Sequence, residues 1–334
     1  MTFKDLLRYR SAWLGVALIW VTFYHLPVDS GPFDMLKAIG YGGVDICLFA
    51  SGIGCFFSLS KDADVWAFYK RRLRRLGPTY LLFIVVWLAF RLAIGQFDLK
   101  MALGNLLALQ NFTGHGGEFN WYVSAIFLFY LFAPYFKLIA ERESRARTIL
   151  FFVFLVACSV PFWHADHLLI AVSRLPIFFL GFLFGKVCRT NKTVTRTHVV
   201  LLAVSLVLGL AAILAVDRFG ADYIWSHGLQ WYPFILITPP LCLLISLFSS
   251  LLSKTKWTRA IVSFFSLCGE YSFELYLLHF FLISVVNVLL KLPAFAPHST
   301  LLWLGAGLLL FFLCYLLRRV ANGLSSLLFQ TKKD

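Results

Sequence analysis

The sequence is poor in charged residues for its length. Only 14% of its 334 residues are charged, whereas about a quarter are charged in an average soluble domain. Hydrophobic residues make up 60%. Because a water-soluble core cannot enclose so many, lipid must cover part of the surface. This composition excludes an ordinary soluble enzyme and predicts a single membrane-embedded domain over residues 1–334.

Metal-binding, disulfide and repeat patterns are also missing. The seven cysteines lie in or beside apolar runs and include no Cys-x-x-Cys pair, which argues against a zinc site or a disulfide framework. His164 and His167 form a His-x-x-His without an evident third ligand, so we expect no metal. The absence of an inverted repeat weighs against a standard secondary transporter.

The sequence instead contains a series of long apolar runs. A membrane-spanning helix needs about 20 mostly apolar residues. The predicted spans are 11–28, 40–60, 77–95, 121–140, 148–163, 168–186, 198–216, 231–252, 272–290 and 299–321. The first run follows basic residues, as in a signal peptide, but it lacks a small-x-small cleavage site, so we expect it to remain as helix 1. The pattern predicts an all-α, polytopic integral membrane bundle of about ten transmembrane helices.

The basic residues alternate from one connection to the next. One alternate set of connections holds 24 of the 30 lysines and arginines, and the other set holds only four. Positive residues concentrate on the cytoplasmic side of membrane proteins, so the alternation predicts ten spans with both termini in the cytoplasm. Because topology accounts for the net charge of +14, we expect membrane lipid around the protein and no nucleic-acid partner.

Several ionisable or polar residues lie in or beside the outer halves of the predicted spans. They are His25, Asp45, Glu118, Asn120 and Arg174. Ionisable groups in spans are costly and are therefore functional candidates. His25 could accept a proton near neutral pH, and Asp45 could fix its tautomer and stabilise the imidazolium. Either Arg174 or a backbone donor could stabilise negative charge on a carbonyl oxygen. The alternative is that these side chains only hydrogen-bond helices to one another.

Two further features have two interpretations each. Residues 70–75, the basic segment, carry five positive charges and are expected in a cytoplasmic loop before the third span. They are either a topology signal beside anionic lipid or a site for a phosphorylated ligand, since arginine recognises phosphate by paired hydrogen bonds.

His279 either lines the same cavity as His25 or packs the ninth span against its neighbours. Gly181-x-x-x-Gly185 predicts close helix contact.

Taken in order, six sequence blocks resemble membrane-bound acyltransferase family 3, the bacterial O-acetyltransferases that modify cell-envelope polysaccharides. The blocks are Phe23-Tyr24-His25, Gly43-Val44-Asp45 with Ser51-Gly52, Phe68-Tyr69 followed by the basic segment and Gly77-Pro78, Trp121-Tyr122-Val123-Ser124, Arg174-Leu175-Pro176 with Gly181, and Tyr271-Ser272 with Leu275-Tyr276-Leu277 and His279. Each block alone is weakly specific, but six in the right order are a specific signal.

The resemblance implies an enzyme of a bacterial inner membrane that transfers an acyl group, usually acetyl, from cytoplasmic acyl-CoA to a sugar hydroxyl. The acceptor would be an envelope glycan or a lipid-linked sugar, and a second transfer step would need a separate extracytoplasmic enzyme. His25 would be the catalytic base, with Asp45 beside it. The expected site-lining residues are Arg10, Glu118, Asn120, Trp121, Arg174, Tyr276 and His279. The residues expected to bind acetyl-CoA or another acyl-CoA are Lys70, Arg71, Arg72, Arg74 and Arg75.

The sequence departs from the family pattern at one position. The family usually has an arginine eleven residues before this histidine, where this chain has Leu14. The nearest candidate, Arg10, lies roughly 60° from His25 around an ideal helix and about 6 Å closer to the cytoplasm than the usual arginine. Either Arg10 serves the same function from a displaced position, another arginine does, or helix 1 is irregular.

Two other functions fit the same composition. A transporter or flippase of a lipid-linked sugar would also have buried charges and an aromatic cavity, but it would not release free coenzyme A. A non-catalytic partner of other envelope enzymes would tolerate changes at His25 and Asp45.

Overall fold

The computed structural model describes residues 2–113 and 121–329. Within these ranges the chain is helical and has no β-strand, which confirms the all-α prediction. The helices are α1 Phe3–Leu6, α2 Arg10–His25, α3 Asp34–Ala38, α4 Gly43–Lys61, α5 Val65–Ala93, α6 Leu99–Leu106, α7 Trp121–Glu141, α8 Arg145–Ala157, α9 Asp166–Val172, α10 Leu175–Arg189, α11 Arg196–Val216, α12 Ala221–His227, α13 Pro233–Leu252, α14 Lys256–Glu270, α15 Ser272–Leu289 and α16 Ser299–Leu328.

The helices make this a multi-pass membrane protein. Among the described residues, nine segments are long and apolar enough to cross a membrane, and they coincide with the second to tenth predicted spans. The first predicted span forms α2, whose 16 residues rise about 24 Å, somewhat less than the roughly 30 Å hydrocarbon core. We call the end of the bundle where α2 begins the basic end, and the end where α2 finishes the histidine end.

The basic segment is helical and not a loop, which corrects the expectation from the sequence. Helix α5 begins at Val65, and the side chain of Asp64 caps it by accepting hydrogen bonds from the backbone N–H groups of Trp66 and Ala67. Lysine and arginine are good helix formers, so the positive residues extend the third span. In a helix, residues three apart share a face, which groups Arg72 with Arg75.

Burial separates an inner group of helices from an outer one. In the apolar stretch of the span that contains α4, 78% of the residues are buried, whereas in the span that contains α16 only 11% are buried. Helices α8 and α11 are similarly exposed. In a membrane protein such apolar, exposed helices face lipid. Buried polar side chains lie on inner helices, among them Asp45 on α4, Ser246 on α13 and His279 on α15.

Glycines set the two closest helix contacts. A Cβ added at Gly181 of α10 would lie 2.3 Å from the carbonyl oxygen of Phe49 in α4, so only glycine permits this approach, as the small-residue spacing predicted. The second contact joins α2 to α14, a helix that the span prediction left in a connection. A Cβ added at Gly15 would lie 1.8 Å from the carbonyl oxygen of Phe265.

Helices α14 and α15 pack against α2 at different levels. Gly15 of α2 meets Phe265 and Gly269 of α14, and the ring of His25 meets the ring of His279 of α15. The second contact brings the two histidines together at the histidine end.

Candidate functional site

Three cavities follow one another from the basic end to the histidine end. The basic-end cavity has a volume of about 560 Å³, the middle cavity about 60 Å³ and the histidine cavity about 280 Å³. Arg10 and Arg75 line both the basic-end and the middle cavity. Val21, Val44 and Tyr276 line both the middle and the histidine cavity. The three cavities therefore adjoin one another in a series, which we call the passage, and the middle cavity is the smallest of the three.

His25 lines the histidine cavity and has a defined tautomer. Its Nδ1 lies 2.9 Å from the carbonyl oxygen of Val21. Since a carbonyl oxygen only accepts hydrogen bonds, Nδ1 carries the proton and Nε2 keeps a free lone pair. The backbone of α2 therefore orients the ring. The sequence had suggested Asp45 for that role, and the structure gives Asp45 a different partner.

His279 stands beside His25 in the same cavity. The two ring centroids are 5.2 Å apart, and Nδ1 of His279 is 3.0 Å from the carbonyl oxygen of Leu275. Nε2 of His279 is buried and has no hydrogen-bond partner among the described residues. Both imidazoles thus have a protonated Nδ1 and an Nε2 that can accept a proton or a hydrogen bond.

Arg174 is fixed at the wall of the histidine cavity. Its guanidinium lies between two indole rings, 4.8 Å from the centroid of Trp121 and 4.7 Å from that of Trp231. Its Nη1 donates a hydrogen bond to the carbonyl oxygen of Ile170, and its Nε is 3.6 Å from Oδ1 of Asp45. Arg174 and Asp45 are each only 1% exposed, so Asp45 serves as the counter-charge of Arg174.

Three arginines from two helices meet at the middle cavity. Arg10 of α2 lies beside Arg72 and Arg75 of α5. The guanidinium of Arg10 packs against Gly54, and Nη2 of Arg72 donates to the carbonyl oxygen of the same glycine. None of the three forms an ion pair within the described part of the chain. Such a cluster favours an anion, since arginine binds phosphate and carboxylate by paired hydrogen bonds.

The other charged members of the basic segment do not line the middle cavity as the structure describes it. Arg74 lines the basic-end cavity. Arg71 lines none of the three cavities as the structure describes them, and its Nη1 is 2.6 Å from Oδ2 of Asp62. That hydrogen bond lowers the pKa of Asp62, so the pair is ionised at neutral pH. Lys70 lines none of the three cavities as the structure describes them.

Tyr276 and Trp121, both expected at the site, lie on the passage. Tyr276 packs against Tyr122 with ring centroids 4.8 Å apart, and this pair borders the middle cavity. Trp121 lines the histidine cavity. Glu118 and Asn120 lie outside the described residues.

Sequence reasoning missed several residues of the passage. In the histidine cavity they include Tyr24, Tyr41, Asn111, His167, Trp225 and Trp231. Aromatic residues are enriched near both membrane surfaces in any case, so their positions carried no specific signal. In the basic-end cavity, Glu274 is paired with Arg318 at 2.6 Å, a contact between helices that no local pattern indicates.

A comparison with protein families gives a match over most of the chain. A family model described as an acyltransferase domain matches residues 15–319. No curated protein and no solved structure gives a significant match. The matched range contains both histidines of the cavity and the basic segment, and it begins five residues after Arg10.

Proposed function

We propose a reaction for this chain from one premise: it belongs to the acyltransferase 3 family. Membership makes it a multi-pass membrane acyltransferase. We propose that it transfers an acyl group, with acetyl as the first candidate, from an acyl-CoA to a hydroxyl of a cell-envelope polysaccharide or a lipid-linked sugar. We propose a bacterial inner membrane as its location, with the basic end and both termini on the cytoplasmic side, where positive residues concentrate.

The observation that carries this proposal is the passage from the arginine cluster to the histidines. Coenzyme A is polyanionic at its nucleotide end and has a long, thin arm that ends in the thioester. Arg10, Arg72 and Arg75 would hold the phosphates. Helix α2 rises about 22 Å between Arg10 and His25, and the arm would follow it. The middle cavity, at about 60 Å³, suits a single extended chain and would hold back the nucleotide.

The histidine cavity supplies the groups that acyl transfer requires. The acceptor hydroxyl would attack the thioester carbonyl carbon while Nε2 of His25 takes its proton. The carbonyl oxygen would become an oxyanion, and the fixed charge of Arg174 at the cavity wall would stabilise it. Collapse of the tetrahedral intermediate would break the carbon–sulfur bond. The departing thiolate would then take the proton from His25, which returns the imidazole to its starting state.

The experiment that tests the proposal measures thiol release. Purified protein in native-lipid vesicles would receive acetyl-CoA and membrane glycans, with free coenzyme A and acylated glycan followed together. His25→Ala should lower both by about 10²–10⁴-fold, the usual contribution of a general base. His298→Ala, which removes an exposed histidine outside the passage, is the matched control and should retain activity.

The outcomes separate the candidate functions. A transporter or flippase would not release coenzyme A. A well-expressed His25→Ala protein with normal thiol release would refute the role of His25 as base.

A further inference from the structure

A fourth cavity lies outside the passage, between the inner helices α2 and α15 and the outer helix α16. It is a groove of about 390 Å³, within the usual size range of small-molecule sites. Its wall is mostly apolar, with Leu26 from α2's end, Leu282 and Ile283 from α15, and Leu304 from α16. No Asp, Glu, Lys or Arg lines it among the described residues, so the groove suits an uncharged, apolar occupant.

The groove adjoins the candidate active site through one residue. His279 lines both the groove and the histidine cavity. It is only 3% exposed, and its Nε2 has no hydrogen-bond partner in the described part of the chain. An unpaired polar atom in a buried wall is costly, and a hydroxyl entering from either side would satisfy it.

The other side of the groove is open to lipid. Leu304 and Leu308 of α16 are 62% and 79% exposed, as expected of a lipid-facing helix. A Cβ added at Gly307, which lines the groove, would meet no atom within 4 Å. A chain embedded in the membrane could therefore enter the groove sideways without first leaving the lipid.

We propose that this groove admits the apolar chain of a lipid-linked acceptor, so that the acceptor reaches the histidines laterally from the membrane. This inference rests on the proposed acyl transfer and narrows its acceptor to an amphiphile with a long hydrocarbon tail. The tail lies against α15 and α16, and the hydroxyl-bearing head passes His279 into the histidine cavity. There Arg174 and the indole rings offer polar and stacking contacts that the groove lacks.

The test fills the groove without disturbing the inner helices. Gly307→Trp places a large side chain where there is open space. Gly305→Trp is the matched control, because Gly305 is on the same helix, has equally open surroundings and does not line the groove. With a polyisoprenyl-diphosphate sugar as acceptor, we expect Gly307→Trp to raise the acceptor KM at least tenfold, with a smaller rise for Gly307→Leu. Gly305→Trp should match the unchanged protein, and melting temperatures verify that all variants fold.

A photolabelling measurement tests, independently of catalysis, whether a lipid tail binds in the groove. A polyisoprenyl phosphate with a diazirine in its tail should label the peptide that contains Trp303 and Leu310, and Gly307→Trp but not Gly305→Trp should abolish that label. Equal labelling of both variants, or equal competition by phosphatidylcholine, would overturn the proposal, as would an unchanged acceptor KM in Gly307→Trp. Failure of the proposed function looks different: the unchanged protein would release no thiol, whatever the labelling result.

Discussion

Replacing Arg75 by Gln should weaken binding of the coenzyme A donor by roughly 10- to 150-fold. Arg75 lines both the basic-end and the middle cavity, and it has no carboxylate partner among the described residues. Its guanidinium is therefore available to a phosphate. A hydrogen bond to a charged group contributes about 1.5–3 kcal/mol, and each 1.4 kcal/mol or so corresponds to a factor of ten in affinity.

Arg71→Gln is the control for this prediction. It removes the same charge from the same turn of α5, so any long-range attraction of the donor changes equally. Arg71, however, is engaged with Asp62 and lines none of the three cavities of the passage. We expect its loss to change donor affinity only a few-fold, since an exposed ion pair contributes little.

The assay is equilibrium binding of a non-reactive coenzyme A thioether to detergent-purified protein, at low and high salt. Dephospho-coenzyme A serves as a second ligand, because a direct contact between Arg75 and the 3′-phosphate would make the losses from the variant and from the ligand non-additive. Equal weakening by both variants would show that only overall charge matters. Unchanged binding in Arg75→Gln would refute the arginine cluster as the phosphate site.

Two further predictions concern the scaffold of the site. Gly15→Leu should destabilise the protein by at least about 1–3 kcal/mol, because an added Cβ meets backbone at 1.8 Å. Gly323→Leu, with no atom within 4 Å of its added Cβ, should melt like the unchanged protein, and equal melting of the two would contradict the helix packing. Asp45→Asn leaves Arg174 buried without its counter-charge and should cost about 3–5 kcal/mol. Arg174→Gln in the same chain should recover part of that loss, whereas simple additivity in a double-mutant cycle would argue against their pairing.

The positions of the spans could be predicted from the sequence because hydropathy is a property of a continuous run. Each span must cover the hydrocarbon by itself, whatever its neighbours are. For the same reason α14 was missed: it is amphipathic and only 15 residues long, so it contains no continuous apolar run of spanning length. The helical state of the basic segment was missed because charge was taken as the end of the span.

The identity of several site residues was also within reach of the sequence. Ionisable residues in spans are few, because placing one in a membrane costs free energy. His25, Arg174 and His279 could be singled out for that reason. Their partners could not. Asp45 was expected beside His25 because both lie near one membrane surface, but depth does not specify the direction in which a side chain points.

The amino-acid sequence by itself therefore determined an all-α, multi-pass membrane bundle, its alternating charges and a short set of buried polar residues, since each depends on one segment at a time. Only the tertiary structure decided that Arg72 and Arg75 face the passage while Arg71 does not, that Asp45 neutralises Arg174, and that His279 stands between the histidine cavity and the lipid-facing groove. These facts depend on how distant helices rotate and pack against one another. Such contacts arise from close approach at a few glycines, and no single stretch of sequence encodes them.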